Sequence, residues 1–323
     1  MEIPVINIAK ILSLRSENES NIGYSDSVKV GEKLVKSFST HGFALVENHG
    51  IPKENIDEIR SLSYKFFACD LDYKMKFLSK SGTTLCYDPV GSQFATPGRP
   101  FDYHECFRVP SCAYDCDWPN IKELKTKCQQ FEKVCNMLLL RLLTSIGQGM
   151  GLKDSQLFLR YHKKIGHSTN TTRLKFVHYP PIPDDVVIQE YQLRVGEHTD
   201  IGSLTILFPD GVGGLQIKRR DGSFMDVPYI PGTAIVNVGD MLQYCSGRRL
   251  KSTVHRVVIP EGTANRAISK LTVGYFGCMD NEAELRKVEF NDAELNSETT
   301  KSMDFIKAGD FFNKRFNGFV NYD

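Results

Sequence analysis

In "GEHTDIGSLTIL", residues 196–207, His198, Thr199 and Asp200 stand at the head of an apolar run. Leu204, Ile206 and Phe208 alternate with Thr205 and Leu207, the period-2 pattern of a strand buried on at least one face. An imidazole and a carboxylate two positions apart are expensive to desolvate at such a place unless each finds a partner. On strand phase, both side chains point to one face. A second imidazole, His255 in "STVHRVV", enters another strand after 54 intervening residues. Two imidazoles and one carboxylate with coordination positions left open form the facial triad that suits non-haem Fe(II), whose vacant positions admit a co-substrate and O2. Hydrogen-bonded polar groups at two strand ends are the bland alternative for the same three residues.

The surrounding elements have to bring those stretches together. Leu34, Val35 and Phe38 make a helical stripe that Gly42 stops, and Phe43–Val46 extend as a strand. A further helix near 53–68 carries Ile56, Ile59, Leu62 and Phe66. The longest helix runs over about 120–150, with Leu124, Cys128, Phe131, Cys135, Leu138, Leu142 and Ile146 in helical period and Gly151 as its stop. Residues 80–118 are rich in Gly, Pro, Tyr and Asp and read as irregular or edge-strand structure. From 173 onward, short β-branched runs are separated by turn signals, including a hairpin at "RRDG". Short strands at this spacing predict a sandwich or barrel. The expected class is mainly β with flanking helices (α+β), in one domain over 1–323. It divides into a helix-rich part at 1–172, a β core carrying the metal site at 173–280, and a helical tail at 281–323.

Composition narrows the function. An apolar share of 41%, a charged share of 24% and a net charge of +1 are those of an ordinary soluble protein and favour neither nucleic acid nor an anionic membrane. The N-terminal "MEIPVINIAKILSL" lacks the basic leader and long apolar core of a secretory signal. The most apolar stretch is broken by Asn136 and Arg141, so no membrane span is expected. Nine irregularly spaced cysteines read as free thiols in a reducing cytoplasm. A monomer is expected.

The segment "HTDIGSLTILFPDGVGGLQIKRRDGSFMDVPYIPGTAIVNVGDMLQYCSGRRLKSTVHRVVIP" strongly resembles the core of the isopenicillin N synthase-like branch of Fe(II)/2-oxoglutarate-dependent oxygenases. The resemblance extends upstream to "IPVINI", "HGFALVENHGIP", "FFACDLDYKMKF" and "RLKFVHYPP", and downstream through "LTVGYF" to "IKAGDFFNKRF". It implies a double-stranded β-helix (jelly-roll) core with iron at its open end. It also implies His198, Asp200 and His255 as iron ligands and Tyr179 as a hydrogen-bond partner of 2-oxoglutarate. Val177 stands where plant members often have Asn. The chief departure concerns the Arg-x-Ser that members usually carry before an aromatic pair, where the Arg forks onto the distal carboxylate of 2-oxoglutarate. Before Tyr275 and Phe276 this chain has Lys270 and Thr272. Lys is a compact point charge without the planar fork of Arg. Arg266, eleven residues after His255, is the competing assignment, and an exposed strand-end cation is a third reading of Lys270.

The implied chemistry is oxidation of an unactivated C–H bond of a small molecule by Fe(II), 2-oxoglutarate and O2, with succinate and CO2 as co-products. Hydroxylation, desaturation and ring closure differ only in how the substrate is placed. The family's substrate contacts map to Tyr87, Phe94, Arg99 and Tyr103 in the 84–108 segment, to Ile201 and Cys278, and to Phe312 in the tail. A structured surface loop and ordinary helix packing are the bland readings there. The Arg and His side chains suggest a polar or carboxylated substrate. His162 and His167, beside two lysines, are expected to face solvent. An oxidase of the same fold that uses no 2-oxoglutarate, or a non-catalytic binder of a small ligand, would carry much of the same pattern.

Overall fold

Apolar residues alternate along nearly every strand of the second half, so each strand has a face to hide, and hiding them all requires layers. A computed structural model describes residues 2–12, 21–78, 85–93, 98–288 and 305–316. The strands in chain order are β1 (Val5–Asn7), β2 (Phe43–Glu47), β3 (Cys86–Asp88), β4 (Glu105–Pro110) and β5 (Arg173–Tyr179). They continue with β6 (Val195–His198), β7 (Leu204–Phe208), β8 (Leu215–Lys218), β9 (Phe224–Asp226) and β10 (Thr233–Val238). The last are β11 (His255–Val257), β12 (Lys270–Phe276), β13 (Glu284–Leu285) and β14 (Ile306–Lys307). Eight of them form one sheet in the order β1-β2-β10-β7-β12-β5-β4-β3, and β6-β11-β8-β9 form a second. This is the jelly-roll arrangement, in which β2–β10, β10–β7, β7–β12 and β12–β5 are neighbours out of chain order.

The two faces of the large sheet have different tasks. Leu174 and Phe176 of β5, Ile206 and Phe208 of β7, Val236 of β10, and Leu271, Val273 and Tyr275 of β12 join one continuous core with the helices. The helices of that core include α1 (Ala9–Leu12), α2 (Asn21–Thr40), α3 (Lys53–Phe67) and α5 (Leu124–Gly149), while the short α4 (Leu71–Met75) keeps Leu71 and Met75 exposed. The alternate residues of the same strands, among them Lys175, Val177, Tyr179, Thr205, Leu207, Ile235, Lys270, Thr272 and Phe276, face a cavity closed on its other side by β6, β8 and β11. Helix-rich first half and strand-rich second half are as the sequence patterns predict. Gly42 ends α2 at φ +74° and Gly151 follows α5 at φ +66°, conformations that a side chain disfavours.

The shorter helices are α6 (Leu157–Arg160), α7 (Asp240–Cys245), α8 (Thr263–Arg266) and α9 (Ala308–Phe316). The tail is less purely helical than expected, because β13 pairs with β14 just before α9. No described helix is long and apolar enough to cross a membrane.

The main helix pair, α2 on α5, crosses where neither can carry a side chain. A Cβ on Gly31 would lie 1.9 Å from the Ser145 carbonyl oxygen, and one on Gly149 would lie 2.2 Å from the Gly31 carbonyl carbon. Beside the crossing, the hydroxyls of Ser27 and Ser145 hydrogen-bond at 2.8 Å. Forcing a methyl group into such a contact costs about 1–3 kcal/mol. Gly31→Ala is therefore expected to lower unfolding stability by about that amount in urea denaturation, although Ala favours helix more than Gly does.

Candidate metal centre

His198 ends β6 and Asp200 lies in the turn that follows, so the pair closes one strand and does not open the next, as the sequence pattern suggested. The reason is a register shift. His255 pairs with His198, but Val257 pairs with Val195, so β6 spends three residues where β11 spends two. A bulge of this kind re-aims side chains. It lets both Val195 and His198 face the cavity. Glu197 pairs at 3.5 Å with Arg256 and at 3.2 Å with Arg99.

The turn itself is tightly pinned. The Ser203 N–H donates to the Gly277 carbonyl at 2.8 Å, Gly239 N–H to the Ser203 carbonyl at 2.8 Å, and Asp240 N–H to the Asp200 carbonyl at 2.8 Å. A Cβ on Gly202 would stand 2.2 Å from the Gly277 oxygen, so only glycine passes there. His162, expected in solvent, is buried behind this turn with Nδ1 on the Phe158 carbonyl and Nε2 on the Ser203 hydroxyl. Burial pushes its pKa down to about 4. Two adjacent lysines mask an inward turn of the chain. His167 is exposed.

The three side chains converge. His198 Nε2 and His255 Nε2 each lie 3.9 Å from Asp200 Oδ1, and one ligand atom from each residue falls within 4.8 Å of the other two. Both rings offer Nδ1 to a main-chain carbonyl, His198 to Gly196 at 2.8 Å and His255 to Thr253 at 3.0 Å. A carbonyl only accepts, so each Nδ1 carries the hydrogen and each Nε2 keeps its lone pair. Asp200 is divided in the same way. Its Oδ2 accepts from Thr205 Oγ1 at 2.6 Å and from Asn237 Nδ2 at 2.7 Å. Oδ1 accepts no hydrogen bond among the described residues. Three lone pairs are thus aimed at one point with no protein donor to satisfy them.

The electrostatics suit a cation. Burial and the neighbouring imidazole push the His198 pKa down to about 4, so the ring is neutral near pH 7. Burial pushes the Asp200 carboxyl up, but the two imidazoles and the Thr205 and Asn237 donors outweigh it and hold the carboxyl below its ordinary value. Two imidazoles and one carboxylate are the donor set that a divalent transition metal takes.

The cavity above this point measures about 730 Å³, within the range of small-molecule sites. Lys270, Tyr179 and Thr272 sit together on its wall. Lys270 pairs with Tyr179 and Thr272 with Val177 across β12 and β5. The Lys270 Nζ lies 4.9 Å above the Tyr179 ring and donates to the Gly213 carbonyl. The Thr272 hydroxyl hydrogen-bonds Tyr179. Lys270 is buried, not an exposed strand end, and burial pulls its pKa down to about 8 despite the attraction of Asp210. Arg266 lies in α8 and does not reach the cavity wall.

Of the residues expected on the substrate side, Ile201 and Cys278 line the cavity. Tyr87 does not: its ring is in the core 5.9 Å from that of Phe66, and its hydroxyl donates to Glu105. β3 is an edge strand, one of the two readings that the composition of 80–118 offers, and its Tyr87 faces α3. Tyr103 lies 5.3 Å beneath the Arg194 guanidinium, outside the lining, and Arg99 is occupied by Glu197. Phe312 packs behind the wall, 5.3 Å from the Arg173 guanidinium. Phe94 lies outside the described residues. Sequence reasoning misses Asp88, Arg108, Arg173 and Lys175, all of which line the cavity. Arg173 and Lys175 share the strand phase of Val177 and Tyr179, so extending that alternation backward would find them.

The tail also reaches Thr199, between His198 and Asp200. Arg315 of α9 donates to Thr199 Oγ1 at 3.0 Å through Nη2 and to Asp240 Oδ2 at 2.9 Å through Nε. Thr199 in turn donates to Asp240 at 3.2 Å.

With fold and site in place, the chain belongs to the Fe(II)- and 2-oxoglutarate-dependent oxygenases. The profile of the 2OG-Fe(II) oxygenase superfamily matches residues 153–276, and that of the non-haem dioxygenase in morphine synthesis N-terminal region matches residues 3–129. The 2-oxoglutarate-dependent dioxygenase htyE of Aspergillus rugulosus is 32% identical over 275 residues, 77% of this chain and 81% of that protein. The 2-oxoglutarate-dependent dioxygenase gloF of Glarea lozoyensis is 32% identical over 274 residues, 76% of this chain and 81% of that one. A full-length Neurospora crassa protein crystallised in complex with alpha-KG superposes with a TM-score of 0.81 at 26% identity, covering 97% of this chain and 95% of that one. The protein is therefore a dioxygenase whose cofactors are Fe(II) and 2-oxoglutarate, with O2 as oxidant.

If Thr205 and Asn237 serve to turn Oδ1 outward, removing them should cost metal affinity before it costs the fold. Thr205→Val and Asn237→Leu are each expected to weaken Mn(II) binding about 10- to 100-fold, measured by calorimetry, with the thermal unfolding profile of the metal-free protein close to that of the wild type.

Proposed function

We propose that this enzyme oxidises an unactivated C–H bond of a small organic molecule, releasing succinate and CO2 from 2-oxoglutarate. His198 Nε2, Asp200 Oδ1 and His255 Nε2 hold the iron, and Lys270 with Tyr179 and Thr272 receives the distal carboxylate of 2-oxoglutarate. The single observation that carries this reading is the set of three unsatisfied lone pairs at the base of a cavity that also contains a buried, inward-facing ammonium group. Bound iron supplies the redox chemistry by activating O2 at the expense of 2-oxoglutarate.

The chain's own residues bind, orient and exclude water. Lys270 contributes a full charge in a desolvated place, where it is worth more than at a surface. The Tyr179 and Thr272 hydroxyls add direction that an ammonium group lacks, which compensates in part for the absent guanidinium fork. Val177, Ile201, Leu207, Ile235 and Phe276 make the remaining wall largely apolar, and a C–H bond held there meets little water. Hydroxylation, desaturation or ring closure then follows from where the substrate is held.

An oxidase of the same fold without 2-oxoglutarate would leave Lys270 buried at a cavity wall with no ligand to neutralise, and a silent binder would leave the three lone pairs unused. The nine free thiols support a reducing compartment such as the cytoplasm.

Calorimetry of 2-oxoglutarate binding to the Mn(II)-loaded, oxygen-free protein tests the assignment. Lys270→Met should weaken binding by at least about tenfold, in keeping with loss of a charge-assisted hydrogen bond, whereas Arg266→Met should leave it unchanged; the reverse pattern would refute the assignment. The pH dependence follows from the same group. The free enzyme's Lys270 loses its proton as pH rises through about 8, and binding needs the charged form. Affinity should be flat below that pH and fall by about tenfold for each further pH unit. In Lys270→Met this decline should be absent.

A further inference from the structure

The cavity has a second cationic end that the iron and 2-oxoglutarate do not use. Along β5, Arg173, Lys175, Val177 and Tyr179 share the cavity face. Tyr179 stands opposite Lys270, while Lys175 stands opposite Gly274 and Arg173 opposite Phe276. Lys175 is therefore four residues from the Lys270 position, about 13 Å along the strand. On its other side Lys175 pairs with Arg108 of β4. Three cations meet within one patch of sheet.

One carboxylate faces them, and it is already taken. Asp88 Oδ1 accepts from Arg108 at 2.8 Å, and its Oδ2 accepts from the Cys106 thiol at 3.0 Å. The side chains of Arg173 and Lys175 make no hydrogen bond or ion pair among the described residues. The Arg173 guanidinium lies 5.3 Å from the Phe312 ring, which covers one face of the planar group. Two positive charges beyond those that Asp88 balances are thus held at a partly desolvated wall, where an uncompensated charge is costly. The stretches that flank β3 and its loop in the chain, 79–84 and 94–97, contain no Asp or Glu. The neighbouring wall is apolar, with Val177, Phe276, Ile201 and Cys278.

We infer that Arg173 and Lys175 form a carboxylate-binding subsite for the substrate to be oxidised, so that the substrate is an organic acid with an apolar body. The inference rests on the functional reading above and narrows it from a small molecule to a charge class. The carboxylate meets the guanidinium edge and the Lys175 ammonium group, and the apolar body extends along Val177 and Phe276 toward the triad. Gly274 stands opposite Lys175, and the space its Cβ would take is filled by the Phe276 ring and the Leu207 side chain, which make that part of the floor apolar. Arg173 and Lys175 would then fix the distance from the acid group to the carbon presented for oxidation.

The test uses the Mn(II)- and 2-oxoglutarate-loaded protein without oxygen and two probe pairs, 3-phenylpropanoate with 3-phenylpropanamide and octanoate with octanamide. Each pair keeps the apolar body and removes the charge. In calorimetry at least one acid should bind about tenfold or more tightly than its amide, the scale of a charge-assisted contact. Lys175→Met and Arg173→Gln should each reduce that preference to within about threefold, while 2-oxoglutarate affinity stays that of the wild type. Lys175→Gln provides the same reading should the methionine variant fail to fold. Acid and amide binding alike, no binding of either acid, or a preference that survives both substitutions would overturn the inference. Failure of Mn(II) and 2-oxoglutarate to bind at all would instead contradict the underlying functional reading.

Discussion

Two imidazole nitrogens and one carboxylate oxygen, each deprived of a protein hydrogen bond and aimed at a shared point, are the constraint around which the β core is arranged. Keeping them unsatisfied requires that every other polar atom of the three residues be occupied. The Gly196 and Thr253 carbonyls occupy the Nδ1 hydrogens, and Thr205 with Asn237 occupies Asp200 Oδ2. Those supporting groups come from β6, the approach to β11, β7 and β10, so the site is defined only when both sheets are assembled. The bulge in β6 and the glycine-tight turn at Gly202 serve the same need, since they bring His198 Nε2 and Asp200 Oδ1 within 3.9 Å of each other. In the absence of metal this arrangement buries costly groups, and a bound cation relieves that cost, so metal binding and folding are coupled.

Charge divides the cavity along β5. Lys270 with Tyr179 and Thr272 marks one end, Arg173 and Lys175 with the Arg108–Asp88 pair mark the other, and apolar side chains lie between. Alternation along a single strand thus puts Arg173, Lys175 and Tyr179 on one wall, while Leu174 and Phe176 join the core that the helices share on the opposite face. The tail joins from outside: α9 places Arg315 on Thr199, inside the His-x-Asp motif itself, and Phe312 behind Arg173.

Much of this is legible in the sequence, for identifiable reasons. Period-3.6 stripes place α3 and α5, period-2 alternation places β5, β7 and β12, and residue chemistry singles out His198, Asp200 and His255. Lys270 and Thr272 share one face of β12 by parity, whereas Arg266 lies in the turn of helix before it. What is not legible depends on long-range packing. No local pattern reveals a β-bulge, so His198 and Asp200 look like one strand instead of a strand end and a turn. His162 looks solvent-facing from its lysine neighbours, although its partner Ser203 is distant in sequence. Tyr87 and Tyr103 fall where the resemblance puts substrate contacts, yet the edge position of β3 turns one into the core and Arg194 covers the other. Arg173 and Lys175 escape notice because cations in a strand usually mark its solvent face, and here that face is an internal wall.

The most direct test is anomalous diffraction from crystals of the Mn(II)-loaded protein grown without oxygen. The account requires one strong metal peak within coordination distance of His198 Nε2, Asp200 Oδ1 and His255 Nε2 together, with Asp200 Oδ2 still held by Thr205 and Asn237. A peak elsewhere, or an unoccupied cluster at saturating metal, would contradict it.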